Sequence, residues 1–491
     1  MLVLITIIIY FLLLFLISTI TGKAGSSNST FFKADNQSPW FIVAIGMIGA
    51  SISGVTFVSV PGMPIHIDMT YMQMVFGFFF GYLIVAHVLL PLYYKLGLTS
   101  IYSYLNQRIG KKAYQTGSLF FLLSRMLGTA AKLYLVCLIL QHFVFRDLSI
   151  PLWLIAAGAV SLVWIYTHQS GIKTIVWTDA LQTLCLVLAL LAIIYSVLSQ
   201  LDLNLVEAWN TVQAHPNSRI FVWDDWVSKQ NFFKQFLSGI FIVIVMTGLD
   251  QDMMQKNLSC KNLKDAQKNM YTYGFAFIPL NFLFLSLGIL LLLLSSKLGL
   301  QLPTQSDDLL PMLATEGYLG QGVIVLFTIG IIAAAFSNSD SALTAMTTSV
   351  CVDLLNTEED KPALAIKKRR RVHIALSLLL ILCISFVDLM KSQTVIDAIY
   401  IIASYTYGPL LGMFAFGLFT KRKTQDKYVP YIALAAPLLC YLLDQYTLDL
   451  FNYKLGYELL MLNGLLTFTG LYIYSTSNKQ QKEIHKNHAY N

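Results

Sequence analysis

The sequence predicts an all-α polytopic membrane protein with about thirteen transmembrane helices. The first observation is composition: of 491 residues, 56% are hydrophobic and only 12% are charged, whereas soluble domains carry about 25% charged residues. The second is a succession of apolar runs, each near the ~20 residues that a helix needs to cross a bilayer. The third is a strong asymmetry in the positions of Lys and Arg.

Apolar runs follow one another along almost the whole chain. The first, at 2–20, has no basic N-terminal region and is longer than the core of a signal peptide, so we expect a retained helix. Two longer connections, at about 200–231 and 299–317, separate later runs. The remaining predicted spans lie at about 40–62, 70–95, 114–145, 151–167, 175–199, 232–251, 268–298, 318–352, 370–390, 395–419, 428–445 and 456–475.

The basic residues predict the orientation of these helices. With the N-terminus outside, about 24 of the 33 Lys and Arg residues fall on the cytoplasmic side and about 7 outside, as the positive-inside rule expects. We therefore predict a cytoplasmic C-terminus in a bacterial cytoplasmic (inner) membrane, and no nucleic-acid partner despite the net charge of +7. The basic residues assigned to cytoplasmic connections include 367–371, 421–423, Lys256, Lys261, Lys264 and Lys268.

Signatures of other protein classes are missing from the sequence. The six cysteines stand singly, without a CxxC or His/Cys pattern of metal spacing, so we expect neither a disulfide framework nor structural zinc. No pairing of nucleophile and base and no phosphate-binding loop stands out. We therefore predict no enzymatic activity and no organic cofactor.

One apolar run contains a concentration of polar residues between Ala333 and Leu343. On a helix, Ser337, Asp340 and Ser341 stand at i, i+3 and i+4 and share one face. Hydroxyl and carboxylate oxygens are ligands for a small hard cation, so this face is a candidate cation site. A polar seam that joins two membrane helices is the alternative interpretation.

The run at 40–62 is rich in small residues for a lipid-facing helix. An interruption near 52–54 would free backbone carbonyls at mid-membrane, which is tolerated where they line a site. Close packing of helices through small residues is the alternative. The small residues are Gly46, Gly49, Ser51, Ser53, Gly54, Thr56 and Ser59.

Besides Asp340, three charged residues inside predicted spans are candidates for a function. Asp179, near the cytoplasmic end of its span, is a functional candidate, or else it pairs with Lys173 or caps a helix. Arg125 and Lys132 stand seven residues apart on one face of another span. Each needs an acidic partner, a water-filled cavity or an anionic ligand, so pairing with protein carboxylates is the alternative to solute binding.

Four motifs together resemble the sodium:solute symporter family, and the similarity covers the chain from about Trp40 to Arg422. The motifs occur in the order found in that family, and the extra N-terminal run is similar to bacterial members. They are SGVTF at 53–57 with the later Pro61, WTDALQ at 177–182, TGLDQDMMQK at 247–256 and AAFSNSDS at 334–341.

The resemblance implies a leucine-transporter-like core of two inverted five-helix repeats. The repeats would be 40–199 and 232–419, and each would begin with a broken helix, at 40–62 and at 232–251. The other parts would be an extra transmembrane helix at 1–20, an extracellular loop at 200–231, two C-terminal transmembrane helices within 428–475 and a cytoplasmic tail at 476–491.

The resemblance also implies sodium ions as the coupling ions. The family's common site maps to the backbone oxygens of Gly49, Ile52 and Ala334 with the side chains of Ser337 and Asn338. The second site of some relatives maps to Asp179, Ser337, Asp340 and Ser341. Asn338 and Asp340 replace hydroxyl residues of those relatives, so two carboxylates would meet at the second site. Since close carboxylates share protons readily, one sodium ion, two sodium ions or proton coupling remain open.

The solute side is implied less directly. A sialic-acid-transporting branch of the family binds the solute carboxylate through an arginine whose position corresponds to Gly128. Arg125 and Lys132, on the same helix, favour an anionic solute. The predicted solute-contacting residues are Ser53, Gly54, Thr56, Gln73, Arg125, Gly128, Lys132, Asp250 and Gln251.

These observations together predict a sodium-driven secondary symporter that works by alternating access. The predicted solute is small and organic, best a sugar or an anionic sugar acid such as sialic acid, and the predicted assembly is a monomer in the lipid bilayer. Proton-coupled or mixed-ion symport of a neutral solute such as an amino acid is the alternative. A membrane sensor and an ion channel are further alternatives.

Overall fold

The computed structural model is helical almost throughout. Its two strands, Lys423–Thr424 (β1) and Ser475–Thr476 (β2), form a single antiparallel pair. The predicted all-α class is confirmed. Of the predicted tail at 476–491, only Thr476 lies within the described residues. Those residues are 2–21, 27–145, 149–168, 171–390, 395–451 and 453–476.

Twenty-one α-helices succeed one another in this part of the chain. The first twelve are α1 (Leu2–Thr21), α2 (Asn28–Lys33), α3 (Trp40–Ser51), α4 (Gly54–Gly62), α5 (Pro64–Ile67), α6 (Tyr71–Ile84), α7 (Leu90–Leu96), α8 (Ser103–Arg108), α9 (Lys111–Ile139), α10 (Leu152–Thr167), α11 (Ile172–Leu201) and α12 (Leu205–Ala214). The others are α13 (Phe232–Val243), α14 (Gln251–Leu258), α15 (Leu263–Lys297), α16 (Leu309–Thr315), α17 (Gln321–Ser349), α18 (Pro362–Met390), α19 (Val395–Phe419), α20 (Val429–Phe451) and α21 (Leu459–Ile473).

Length and composition allow eight single helices of the described chain to cross a membrane, or ten spans if each of two bent pairs counts as one. Three shorter apolar helices, Ile5–Thr21, Leu152–Thr167 and Leu459–Ile473, coincide with the other predicted runs. Every predicted run therefore contains a helix. The count of about thirteen spans and the division into inverted repeats stay predictions.

The first bent pair is formed by α3 and by Gly54–Ile67, which contains α4 and α5, and the two segments differ in direction by 56° across Ile52 and Ser53. Ile52 has φ −77° and ψ 77°, which ends the helix, and Ser53 is extended, with φ −69° and ψ 168°. The side chain of Ser53 then caps α4 by accepting from the amide of Thr56. The predicted interruption near 52–54 is confirmed.

The second bent pair differs from the sequence prediction. The predicted span ended at 251, and the basic residues that follow, Lys256 among them, were assigned to a cytoplasmic connection. Instead, the chain bends by 64° and continues as α14, and every residue of α14 is buried. The physical reason is that the charged side chains of α14 find partners inside the protein, so polarity here does not mean exposure.

Helix α17 lies at the centre of the protein. It packs against α3, α4, α9, α10, α11, α14 and α18. All residues from Gly330 to Ser349 are buried, including the predicted polar stretch Ala333 to Leu343. Within this buried stretch, each of the five polar side chains forms at least one hydrogen bond to the protein.

The small residues of α3 allow α3 and α11 to approach closely. A Cβ atom added at Gly46 would lie 2.9 Å from Asp179 Cβ, and one added at Gly49 would lie 2.0 Å from Thr183 Oγ1. Close packing and an interrupted helix were alternative interpretations of this run, and both features occur. Their combination holds the α3–α4 break against the helix that carries Asp179.

Candidate cation and solute site

The α3–α4 break places backbone carbonyls in the protein interior. The amide of Ser53 donates to the carbonyl of Ser51 at 2.9 Å, instead of to that of Gly49 four residues before it. The Gly49 carbonyl is therefore outside the regular helical ladder. Ile52, at the break itself, is fully buried. Carbonyls freed in this way are the groups that coordinate Na⁺ at interrupted helices of transporters.

Asn338 joins α17 to this break. Its Nδ2 donates to the carbonyl of Ala50 at 2.8 Å. Its Oδ1 is buried and has no hydrogen-bond partner among the described residues. Ala334 and Ser337, the other predicted ligands on α17, are also buried. The structure thus joins α17 to the α3–α4 break through Asn338, whose amide oxygen has no donor among the described residues.

The residues of the predicted second sodium site also meet. Ser337 Oγ donates to Asp179 Oδ1 at 2.7 Å. Asp340 accepts from the hydroxyl of Tyr166 at 2.8 Å and from the amide of Ser341 at 2.6 Å. These contacts link α10, α11 and α17 through buried polar groups.

A residue that was not predicted enters this second group. Lys256 Nζ lies 2.7 Å from Asp179 Oδ2, although α14 is far from α11 in sequence. Lys173, the partner considered for Asp179 from the sequence, is not the residue that pairs with it. Lys256 is four residues after Asp252, and its Nζ lies 4.0 Å from Asp252 Oδ1. The acidic and basic residues at i and i+4 in the TGLDQDMMQK motif were the available signal.

Arg125 has acidic partners within the protein. Its guanidinium makes a close contact with Asp252 and lies 3.8 Å from Asp250. Asp250 also accepts from the hydroxyl of Tyr407, and its other oxygen caps α14 by accepting from the amide of Asp252 at 2.9 Å. For Arg125 the structure therefore shows the pairing with carboxylates that was the alternative to solute binding.

Lys132, seven residues later on α9, is in a different environment. It lines a central cavity of about 90 Å³ at the α3–α4 break, together with Ser53, Thr56, Arg125 and Asn338. In the described part of the chain, no carboxylate oxygen lies within 4.0 Å of its ammonium group. Aromatic side chains of α6, α15 and α19 complete the walls. A half-buried ammonium without an acidic partner is a binding group for an anion.

Two of the predicted solute residues bind main-chain groups of loops instead of lining this cavity. Gln73 donates to the carbonyl of Gln230 at 2.8 Å and accepts from the amide of Val222 at 3.0 Å, so it holds the segment before α13. Gln251 donates to the carbonyl of Thr99 at 2.9 Å and so holds the segment before α8. Neither amide group is directed at the cavity by these contacts.

The two predicted solute-contacting glycines differ in their surroundings. A Cβ atom at Gly54 would lie 2.5 Å from Val136 Cγ2 and 3.7 Å from the carbonyl oxygen of Ile331. A Cβ atom at Gly128 would meet no atom within 4 Å. Gly54 thus packs α4 against α9 and α17, while Gly128 borders open space on α9.

Comparison with known proteins identifies the family. A model of the sodium:solute symporter family matches residues 31–427. The chain belongs to this family. It is accordingly an integral membrane transporter, and the resemblance read from the four motifs is confirmed.

The relatives of this transporter include bacterial and mammalian proteins. The sodium/sialic acid symporter NanT of Aliivibrio fischeri is 24% identical over 462 residues, which cover 91% of this chain and 88% of that protein. The sodium-dependent multivitamin transporter of rabbit is 28% identical over 398 residues, which cover 79% of this chain but only 61% of that protein. The family thus includes proteins that are named for different solutes.

Solved structures establish the fold of this transporter. A Na⁺-coupled sialic acid symporter in a substrate-bound outward-open state superposes with a TM-score of 0.81 at 20% identity, covering 96% of this chain and 97% of that one. A nucleobase-cation-symport-1 family transporter in a closed conformation gives a TM-score of 0.55 at 15% identity, covering 89% and 92%. The chain therefore has the fold of cation-coupled symporters over almost its whole length.

Proposed function

We propose that this protein imports an anionic sugar acid together with sodium by alternating access, and that sialic acid is the first solute to test. The observation that carries the proposal is the central cavity itself. Its lining includes Asn338, whose buried amide oxygen has no hydrogen-bond partner among the described residues and can bind a cation, and Lys132, whose ammonium forms no ion pair there and can bind an anion. One cavity thus offers binding groups for both transported species.

Sodium, as the co-transported ion, would be held at the α3–α4 break. The ligands would be the carbonyls of Gly49, Ile52 and Ala334, the hydroxyl of Ser337 and the amide oxygen of Asn338. These groups come from α3 and α17, so an ion bound to them ties the two elements together. Binding then favours whichever conformation brings the ligands closest, and this is how an ion shifts the population towards one state.

The solute would bind with its carboxylate at Lys132. Ser53 and Thr56 line the same cavity and can bond sugar hydroxyls, and the tyrosine and phenylalanine rings provide apolar contact. Two sodium/sialic acid symporters, from Aliivibrio fischeri and Proteus mirabilis, are among the relatives that match about nine-tenths of the chain. This likeness and the free ammonium together favour a sugar acid over a neutral solute.

The described conformation encloses the cavity tightly, which fits one stage of alternating access. Ligand pockets usually measure about 300–1,000 Å³, so a cavity of about 90 Å³ must widen to admit a sugar acid. Tyr71 lines both this cavity and an outer cavity of about 230 Å³. Its hydroxyl lies 3.1 Å from that of Tyr400. Separation of these two tyrosines would connect the outer cavity to the solute.

The proposal extends to the organisation of the chain in the membrane. The repeats 40–199 and 232–419 are supported by the position of the two breaks, since each lies in the first long helix of its repeat. The N-terminus would lie outside and the C-terminus in the cytoplasm of a bacterial cell. The transporter would act as a monomer, since all the proposed ligands come from one chain.

Uptake by proteoliposomes tests the proposed function. Radiolabelled sialic acid should accumulate with an inward sodium gradient and not with an equal potassium gradient. A polar contact to a charged group contributes about 1.5–3 kcal/mol, so Asn338→Ala should raise the sodium concentration for half-maximal uptake about tenfold. Lys132→Gln should raise the Km for sialic acid about tenfold, while Lys132→Arg retains the parent value.

Several outcomes of the uptake experiment would contradict the proposal. Accumulation that follows a proton gradient and ignores sodium would indicate proton coupling. If a neutral sugar or amino acid is taken up as well as sialic acid, and Lys132→Gln does not change that uptake, the proposal of an anionic solute is contradicted. An ion current without any solute would favour a channel.

A further inference from the structure

Lys256 places a positive charge inside the group of residues that corresponds to a second sodium site. Its side chain is 1% exposed, and its Nζ lies 2.7 Å from Asp179 Oδ2. Helix α14 is held in place by two residues that precede this lysine. Gln255 donates to the carbonyl of Phe32 at 2.7 Å, and Asp252 contacts Arg125. The ammonium is thus anchored at a predicted cation ligand by the protein itself.

The other carboxylate oxygens of this group already have donors, and its serine hydroxyls donate to other groups. Asp179 Oδ1 accepts from Ser337 at 2.7 Å, and the two oxygens of Asp340 accept from Tyr166 and from the amide of Ser341. Ser341 Oγ donates to the carbonyl of Ser337 at 2.9 Å. A metal ion at Asp179 would have to displace Lys256 and several of these bonds.

The α3–α4 break differs in this respect. Asn338 Oδ1 has no hydrogen-bond partner among the described residues, and no lysine or arginine of the described chain forms an ion pair there. An ion at the break gains a ligand that is otherwise unsatisfied, and such gains make binding favourable. The two places that the resemblance maps as cation sites are therefore unequal: the amide oxygen of Asn338 has no donor among the described residues, whereas Asp179 already forms an ion pair with Lys256.

We propose that Lys256 takes the place of a second sodium ion at Asp179, so that each transport cycle binds one sodium ion, at the α3–α4 break. The proposal rests on the sodium-coupled function proposed above and specifies its stoichiometry. Lys256 acts as a tethered cation: it compensates Asp179 in every cycle and is not itself transported. A carboxylated solute and one Na⁺ then move together without net charge.

Sodium binding to the purified full-length protein tests this assignment directly. Titration with sodium chloride, followed by calorimetry without solute, should give one ion per chain for the parent protein. Lys256→Gln removes the tethered charge and should give two ions per chain, because Asp179 then accepts a second Na⁺. Lys256→Arg, which keeps the charge, should give one. Two ions bound to the parent, or one to Lys256→Gln, would overturn the proposal.

A second measurement uses only the parent protein and does not depend on the folding of a variant. With a monoanionic sugar acid, coupling to one Na⁺ is electroneutral, whereas coupling to two carries one positive charge inward. Initial uptake into proteoliposomes should therefore change less than twofold when a potassium gradient and valinomycin set an inside-negative potential. A several-fold stimulation by that potential would overturn single-ion coupling.

The two proposals fail in distinguishable ways. If sodium neither binds the parent protein nor drives uptake, sodium coupling itself is wrong. If sodium binds and drives uptake but two ions bind per chain, sodium coupling stands and the role of Lys256 is wrong. A double variant, Lys256→Gln with Asp179→Asn, removes both charges and should bind one ion; two ions would show that the second ion does not depend on Asp179.

Discussion

The two broken helices bend by similar angles, 56° between α3 and α4 and 64° between α13 and α14, but their polar groups are satisfied differently. The α3–α4 break is built from neutral residues, and the amide oxygen of Asn338 beside it remains without a partner in the described chain. The α13–α14 break carries Asp250 and Asp252, and both have partners within the protein, Tyr407 and Arg125.

We propose from this difference that the α3–α4 break binds the ion and that the α13–α14 break holds the structure. A buried acceptor atom without a donor is stabilised when a cation binds to it. Sodium binding is therefore expected at the α3–α4 break, where the amide oxygen of Asn338 has no donor in the described chain. Carboxylates that are already paired with Arg125 and Lys256 gain little from an ion. The α13–α14 break instead links α9, α11 and α14 through ion pairs, and its charges serve stability first.

The largest expected effect comes from removing the main partner of the α13–α14 break. Arg125→Gln removes the buried cation closest to the carboxylates of Asp250 and Asp252, and breaking such a pair costs about 3–5 kcal/mol. The unfolding free energy of the detergent-solubilised protein should fall by that amount. Arg219→Gln is the matched control, because Arg219 pairs with Asp224 in an exposed position and exposed pairs contribute about 0–1 kcal/mol.

A compensating change would sharpen the result. Arg125→Gln combined with Asp252→Asn removes both charges of the close pair, and most of the lost stability should return. If Arg125→Gln is as stable as the parent, the α13–α14 break is not held by charge. The two breaks would then differ only in the amide oxygen of Asn338, which has no partner in the described chain, at the α3–α4 break.

The contrast between the breaks also shows how far sequence predicts such a site. Runs of Gly, Ser and Thr predicted the α3–α4 break, because small residues in a membrane helix have few functions besides packing and interruption. The polar face of α17 was predicted from spacing alone. The partners of Arg125 could not be found in this way, since Asp252 lies 127 residues away and only the fold brings them together.

The burial of Lys256 was not predicted, for a related reason. Lys and Arg residues in a membrane protein usually mark a cytoplasmic connection. In addition, α14 has only 8 residues, which are too few to show the repeating spacing of apolar residues that identifies a buried helix. The roles of Gln73 and Gln251 depend on loop backbones, whose paths no residue pattern specifies. Helix positions were therefore predictable from the chain, whereas side-chain partners between distant helices were not.

A smaller effect is expected where the α3–α4 break packs against α11. In Gly49→Ala the new Cβ would lie 2.0 Å from Thr183 Oγ1 and 3.1 Å from Thr183 Cα, so the helices must separate. Overpacking of this kind costs about 1–3 kcal/mol, and displacement of the break should also weaken sodium binding. Thermal unfolding with and without sodium measures both effects.

Gly128→Ala is the control for that change. A Cβ atom at Gly128 meets no atom within 4 Å, and both substitutions gain the same helix propensity of about 1 kcal/mol. The difference between the two variants therefore isolates packing at the break. Equal stability of the two variants would show that α3 and α11 can separate without cost.

The smallest effect concerns the caps that start the second half of each broken helix. Ser53 Oγ accepts from the amide of Thr56 at 3.5 Å, whereas Asp250 accepts from the amide of Asp252 at 2.9 Å. Loss of a cap costs about 0.5–2 kcal/mol, and the longer contact places Ser53→Ala at about 0.5 kcal/mol. Ser53→Thr keeps the hydroxyl and should match the parent in equilibrium unfolding. A loss above about 2 kcal/mol for Ser53→Ala would mean that the neutral break depends on its cap as strongly as the charged break depends on its ion pairs.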